Sequence, residues 1–229
     1  MKKFWILFGL LAIPSIAYLY LQTGKNNFKS LEILGPVDIQ SKTVDGNQIN
    51  DTVYHNISGF SLLDQDSSQV TEKIFKGKIH IASFFFTTCG TICPKMSNQM
   101  MRVQHAFEKD TNVVIVSYTV DPEHDTPSVL KEYALKHMAI QNKWFLLTGD
   151  KKTIYDLARN SYLLNAGQGD GGPDDFIHSE MFVLVDKEGR IRGGKDKKGN
   201  ILTYDGTNIL DVNRLLEDVN VLNLEYVKQ

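Results

Sequence analysis

The chain is expected to fold as an α/β domain, a central mixed β-sheet flanked by helices, preceded by an N-terminal transmembrane helix. Three features predict this. Apolar strand-like runs alternate with helical patterns of 10 to 15 residues, the arrangement that builds a sheet with helices packed on it. The run KIHIASFFF at 78–86 is nearly continuous in apolar residues, as a strand buried on both faces must be. Residues 4–21, FWILFGLLAIPSIAYLYL, carry no charge, and as a helix they would reach roughly 27 Å, close to the thickness of a bilayer's hydrocarbon core.

Each element follows in order. Lys2 and Lys3 precede the apolar run, which places the N-terminus on the cytoplasmic side and exports the rest of the chain. Trp5, Tyr18 and Tyr20 suit the two membrane interfaces. A cleaved signal peptide competes, because Ser15-Ile16-Ala17 offers small residues to a signal peptidase; apolarity that continues to Leu21 favours an uncleaved anchor over residues 1–22. Residues 23–50 are polar, broken by Gly24, Gly35, Pro36 and Gly46, and read as a tether with a short hairpin. The folded domain is expected over 51–229. Its strands are read at 60–64, 78–86, 113–120, 144–147, 181–186 and 190–193, its helices at 94–109, 127–138, 151–163 and 208–224. In the first helix Met96, Met100, Val103 and Phe107 recur at helical spacing, and Pro94 suits the opening turn. Asp125 and Asp150 stand where N-caps belong. Residues 165–175 are too glycine-rich for regular structure and read as a mobile loop, and Glu188-Gly189 reads as a turn.

Composition excludes several classes. With 229 residues, 25 basic against 27 acidic side chains and a net charge of -2, the chain is large enough for one core and has no electrostatic footprint for nucleic acid. Its two cysteines, Cys89 and Cys93, lie in Thr87-Thr88-Cys89-Gly90-Thr91-Ile92-Cys93-Pro94, between a buried strand and a helix start. The partial positive charge there favours thiolate, so at least one thiol should ionise more readily than usual. The pair can close a disulfide or offer two soft ligands; two thiolates suit Cu(I), and an added imidazole also accommodates Cu(II). A plain structural disulfide is the simplest alternative in an exported protein, although a bridge over so short a loop constrains the unfolded chain little. Zinc fits less well, since no second cysteine pair and no spaced histidine pair accompanies the motif.

Six histidines are candidates for a third ligand. His55, His80, His105 and His137 lie on segments where a structural role is the simpler expectation. His124 follows the strand at 113–120, at the sheet edge where α/β proteins bind ligands, and His178 directly precedes a strand. Spacing does not choose between these two. Met96, Met100 and Met101 could serve as soft donors, but two of them fall on the apolar helix stripe and read as core. Lys195, Lys197 and Lys198 read as a solvated hairpin, with an acidic partner surface as the alternative.

The succession of TTCGTICPKM, VSYTVDPEHDTPSVLKEYA, WFLLTGDKKTIYDLA and DDFIHSEMFVLVDKEGRI resembles the Sco (SenC) family of membrane-anchored copper proteins over roughly residues 58–222. The resemblance implies a thioredoxin-like fold, with copper ligands at Cys89, Cys93 and His178. It also implies a chaperone that delivers copper to, or reduces the cysteines of, the dinuclear copper centre of cytochrome c oxidase. The expected partners are the copper-bearing oxidase subunit, other copper carriers and thioredoxin-like reductants. Asp121 is expected either as a carboxylate near the metal or in a helix-capping or loop-bracing role. Phe176 stands where many relatives carry Tyr, which removes a phenol but no ligand.

The expected place is the inner (cytoplasmic) membrane, spanned once, with the folded domain in the periplasm, since no Arg-rich, acid-poor transit segment precedes the anchor. On this reading the protein is a carrier rather than an enzyme. The competing function is an exported thiol–disulfide oxidoreductase using the same cysteines without His178, against which the three-residue spacing counts mildly. A thiol peroxidase is disfavoured because the P-x3-T-x2-C frame is missing: Phe86 and Ala82 stand at its Thr and Pro positions.

Overall fold

The two most apolar strands of the folded domain occupy the middle of its sheet. The computed structural model describes residues 12–16, 18, 30–44, 47–164, 179–194 and 204–227. It sets Ile79–Phe85 and Val113–Thr119 side by side and parallel, with every residue of both strands buried. In chain order the strands are β1 (Glu32–Leu34), β2 (Val37–Val44), β3 (Asn47–Tyr54), β4 (Ser61–Asp64), β5 (Gln69–Thr71), β6 (Ile79–Phe85), β7 (Val113–Thr119), β8 (Trp144–Thr148), β9 (Met181–Val185), β10 (Ile191–Gly193) and β11 (Tyr204–Asp205). The helices are α1 (Cys93–Ala106), α2 (Pro127–Lys136), α3 (Lys151–Asp156) and α4 (Ile209–Val227). One mixed sheet runs β1-β10-β9-β6-β7-β8-β4-β5, with β11 on β9, while β2 and β3 form a separate antiparallel hairpin. The parallel pairs β6–β7 and β7–β8 are connected through α1 and α2, and β9 runs antiparallel to β6, pairing Ala82 with Val183 and His80 with Val185. The N-terminal end of β9 therefore lies at the sheet end where β6 stops.

Alternation along β6 sorts its side chains into two cores. Ile79, Ile81 and Phe85 join Met96, Met100, Leu130 and Leu215 on the face covered by α1, α2 and α4. Ala82 and Phe84 join Tyr118, Ile154 and Tyr162 on the other. Met96, Met100 and Val103 are buried along one side of α1, and Met101 packs at the edge of the same cluster, so the methionines serve as core.

Several expectations shift for physical reasons. Asp150 caps α3, accepting the Thr153 amide at 2.8 Å. Asp125 caps nothing: the residue before α2 is Thr126, which makes no side-chain cap bond, and the Asp125 carboxylate is used elsewhere. The helix expected over 151–163 is α3 followed by a π-helical turn at Leu157–Ser161, where His55 Nε2 meets the Ser161 carbonyl oxygen at 2.8 Å. Within the segment read as a tether, β1 joins the main sheet against β10, and the β2–β3 hairpin runs from Val37 to Tyr54. The turn at Glu188-Gly189 forms as expected, with Gly189 at φ +84°, a conformation that suits glycine. No helix among the described residues is long and apolar enough to cross a membrane. Most of the 1–22 anchor, the whole 165–175 loop and Lys195, Lys197 and Lys198 lie outside the described residues.

A buried ion cluster closes the edge of the sheet. Arg192 pairs with Asp186 at 3.0 Å and with Glu225 at 2.7 Å, and donates to the Leu31 carbonyl at 2.8 Å. It thereby ties β10, the β9–β10 turn, α4 and the segment leading into β1. Arg190 also pairs with Asp186, at 2.8 Å, so removing Arg192 leaves that carboxylate one cationic partner beside the Glu188 and Arg190 amides. Arg192→Ala is expected to lower the unfolding free energy by about 3 kcal/mol, near the bottom of the range for breaking a buried pair. Urea denaturation measures it, and a loss within error of zero would show that the cluster contributes nothing.

Candidate functional site

β6 ends at Phe85, and the chain passes through a loop to Cys93, the first residue of α1. This loop carries both thiols, and they are not joined. The start of α1 has no side-chain oxygen as a cap. Cys89 fills that place: its Sγ accepts the Cys93 amide at 3.4 Å and lies 3.7 Å from Thr91 Oγ1. A helix's opening N–H groups have no partner within the helix, so the loop folds back until the sulfur meets one.

This geometry divides the thiols. Burial opposes ionisation of Cys89, but hydrogen bonds from the Cys93 thiol and amide and from Thr91 outweigh it and bring its pKa down to about 7. Cys93 is the reverse. Burial, and then the proton it shares with Cys89, push it up to about 12. The expected thiolate is therefore Cys89, stabilised by the opening amide of α1.

The loop is held from beneath by Asp125. Its side chain is wholly buried and takes four hydrogen bonds: from the Thr87 amide at 3.0 Å, the Thr87 hydroxyl, the Thr119 hydroxyl at 2.5 Å, and His124 Nδ1 at 2.9 Å. Thr87 stands two residues before Cys89 and Thr119 closes β7, so one carboxylate fixes the thiol loop to the neighbouring strand. Thr119 Oγ1 in turn accepts the Asp121 amide at 3.0 Å, and the Asp121 carbonyl accepts the Asp125 amide at 2.8 Å. Asp121 thus contributes backbone to the turn that presents Asp125. Tyr133 from α2 stands behind the thiols. Its ring is 5.0 Å from that of Phe85 and its hydroxyl is 2.7 Å from Ser97 Oγ; burial first, with a smaller effect of both cysteines, pushes its pKa up to about 12.

The histidines separate clearly. His124 sits beside the loop, about half exposed, with Nδ1 engaged by Asp125, whose hydrogen bond raises its pKa. His55 braces the π-helical turn, His137 ends α2 with its ring 4.3 Å from Tyr133, and His105 is exposed near Glu108. His178 and Phe176 lie outside the described residues; β9, which follows them, begins at the same end of the sheet as the thiol loop. Among the described residues no cluster of three or more His, Cys, Asp or Glu side chains could hold a metal. Asp125 and Thr87 escaped the sequence reading as site residues, although both stand inside motifs that it singled out. Tyr133 stands in the same VSYTVDPEHDTPSVLKEYA motif as Asp125, where it reads only as a helix position.

Two outcomes are expected. Alkylation by iodoacetamide, followed by mass spectrometry, should modify Cys89 first, with a rate that rises through a midpoint near pH 7 as the thiolate forms, while Cys93 stays slow below pH 9; equal labelling would contradict the asymmetry. Asp125→Asn should cost about 2–3 kcal/mol in urea denaturation, the scale of hydrogen bonds lost to a buried charge, and should speed Thr87 amide exchange; an unchanged exchange rate would show that the brace does not hold the loop.

Comparison with known proteins agrees with this architecture. The SCO1/SenC family model matches residues 50–203. The SCO1 protein homolog of Bacillus subtilis is 33% identical over 148 residues, which cover 64% of this chain and 76% of that protein. Among solved structures, BsSco, described as a member of the Sco family of cytochrome c oxidase assembly proteins with a disulfide switch, superposes with a TM-score of 0.59 at 29% identity, covering 72% of this chain and 92% of that one. Bradyrhizobium japonicum ScoI, solved with copper bound, gives a TM-score of 0.53 at 26% identity over 71% of this chain and 98% of its own. A mixed sheet with its thiol loop at the start of α1, matched by the family model over most of the folded chain, shows that this protein belongs to the SCO1/SenC family.

Proposed function

We propose that the chain is a membrane-anchored copper chaperone in which Cys89, Cys93 and His178 hold copper as cargo. It supports assembly of the dinuclear copper centre of cytochrome c oxidase from the periplasmic side of the inner membrane. One observation carries the copper reading: two unjoined thiols share one helix start, with Cys89 already held toward thiolate. Two soft donors on one short loop suit Cu(I), and an imidazole beside them extends the site to Cu(II). His178 is supported as that imidazole by the antiparallel pairing of β9 with β6, which starts the strand after it at the thiol end of the sheet. Copper bound in ScoI and the oxidase-assembly description of BsSco point the same way. The exported, anchored placement rests on the uncharged run at 4–21 behind Lys2 and Lys3.

In this reading the protein's own groups do three things. Asp125 fixes the loop so that both sulfurs present to one side of the helix start, α1's opening amide stabilises the Cys89 thiolate, and burial keeps Cys93 protonated until a metal displaces its proton. Transfer to a partner then proceeds by stepwise exchange of thiolate ligands. The same asymmetry favours a second activity, thiol–disulfide exchange. Cys89, with a pKa of about 7, is the group that attacks a partner disulfide, and Cys93 is the buried thiol that resolves the mixed disulfide.

Competition titration of the reduced protein with Cu(I) and Cu(II) tests the copper reading. One tight copper per chain is expected, lost in Cys89→Ser and Cys93→Ser, with His178→Ala weakening Cu(II) by about a hundredfold and Cu(I) much less. Copper binding that survives loss of the thiols, or is identical without His178, would overturn the assignment.

A further inference from the structure

The β2–β3 hairpin forms a sheet of its own beside the main one. Among the described residues β2 pairs with β3 alone, from Val37 opposite Tyr54 to Val44 opposite Asn47. Its base is fixed to the body by His55, whose amide closes on the Pro36 carbonyl and whose ring meets the Ser161 carbonyl. Beyond the base both faces meet solvent: Val37 is 51% exposed and Ile39 70%, and Asp38, Gln40, Asp51 and Thr52 are exposed as well. A two-stranded hairpin with no packed face is marginal in water, and an open strand edge is a template for a further strand.

The pattern along β2 selects that strand. The His55 amide donates to the Pro36 carbonyl at 3.2 Å, so the even positions of β2 exchange hydrogen bonds with β3. The amides and carbonyls of Val37, Ile39, Ser41 and Thr43 therefore point to the outer edge. A second β2 laid antiparallel on that edge, with the two-fold axis at Gln40, sets Ile39 opposite Ser41 and Val37 opposite Thr43, outward groups against outward groups. The same axis sets Asp38 opposite Lys42 of the second copy, twice by symmetry. Opposite charges directly across a ladder attract, and like charges repel. Moving the axis to Ile39 or Ser41 keeps the hydrogen bonds but sets Asp38 against Gln40 or Val44, and both ion pairs are lost. The β3 edge, NQINDTVY, has no basic residue and no such symmetry.

An antiparallel β2–β2 contact closes on itself and stops at two chains, whereas β2 of one copy joined to β3 of the next would run on as a fibre. On the anchored reading proposed above, only residues 22–31 separate the anchor from β1, at most about 35 Å of extended chain. Copies in one membrane then carry their hairpins in the same thin layer, which raises their chance of meeting. We propose that the outer edge of β2 is a homodimerisation surface, through which two chains join their hairpins into one four-stranded antiparallel sheet in the register set by Asp38 and Lys42. The register argument is independent of copper and of the thiol loop.

The test uses the full chain carrying Gln40→Cys, dilute in phosphatidylcholine liposomes and free of metal, oxidised with diamide and mapped for linked peptides by mass spectrometry. At the axis the two Cα atoms of position 40 would stand about 4.5 Å apart, within disulfide range. A 40–40 disulfide is expected as the main link between chains, about tenfold above the 39–39 link of Ile39→Cys, whose Cα atoms would lie more than about 7 Å apart. Adding Asp38→Lys or Lys42→Asp to the Gln40→Cys chain should lower the 40–40 link about tenfold in each case. Mixing those two charge variants, one of them ¹⁵N-labelled, should restore the link between unlike chains, because both cross-strand pairs are again of opposite sign; restoration also shows that neither variant has lost its fold. No 40–40 link, equal linking at 39 and 40, indifference to the charge changes, or no restoration on mixing would each overturn the proposal.

Discussion

The buried carboxylate of Asp125 is the constraint on which the thiol centre depends. A charge removed from water is tolerated only when its lone pairs are filled, and here Thr87, Thr119 and His124 fill them. Because Thr87 belongs to the thiol loop and Thr119 to β7, satisfying the charge also fixes where the loop lies. A neutral side chain at 125 could not accept from two hydroxyls, an amide and an imidazole at once. The loop would then have no fixed relation to the strand beside it.

Given that anchor, the difference between the thiols follows from position along α1. Cys93 is inside the first turn, buried among Met96, Met100 and Phe85, where a negative charge is costly. Cys89 precedes the turn; it is buried too, but its sulfur accepts the turn's opening amide, so a negative charge there is favoured. A more exposed pair would present two similar thiols, and a more buried pair two inert ones. One ready thiolate and one reserved thiol is a useful arrangement both for accepting a metal and for exchanging disulfides, since either begins at a single nucleophilic sulfur.

Much of this was legible in the sequence. KIHIASFFF could hardly be anything but a central strand, and Met96, Met100 and Val103 sit on a helix face as their spacing requires. The thiol loop was legible because strand, cysteines and proline are contiguous. What escaped depends on contacts distant in sequence. The short strands β1, β5 and β11 carry too few residues to show a period and exist because a neighbour offers free backbone groups. Asp125 read as a helix cap because its place before Pro127 is a cap's place; only the approach of Thr87, 38 positions away, shows its other use. Tyr133 reads as one more apolar position of α2 until its neighbours are known.

Sulfur at the copper is what distinguishes a thiol-held cargo from any other mode of binding. X-ray absorption at the copper edge of the loaded full chain reads the ligand set directly. Two sulfurs and one imidazole nitrogen are expected around Cu(II), with the two sulfurs retained around Cu(I). A shell of nitrogen and oxygen alone, with Cys89 and Cys93 still free to alkylate, would contradict that ligand set.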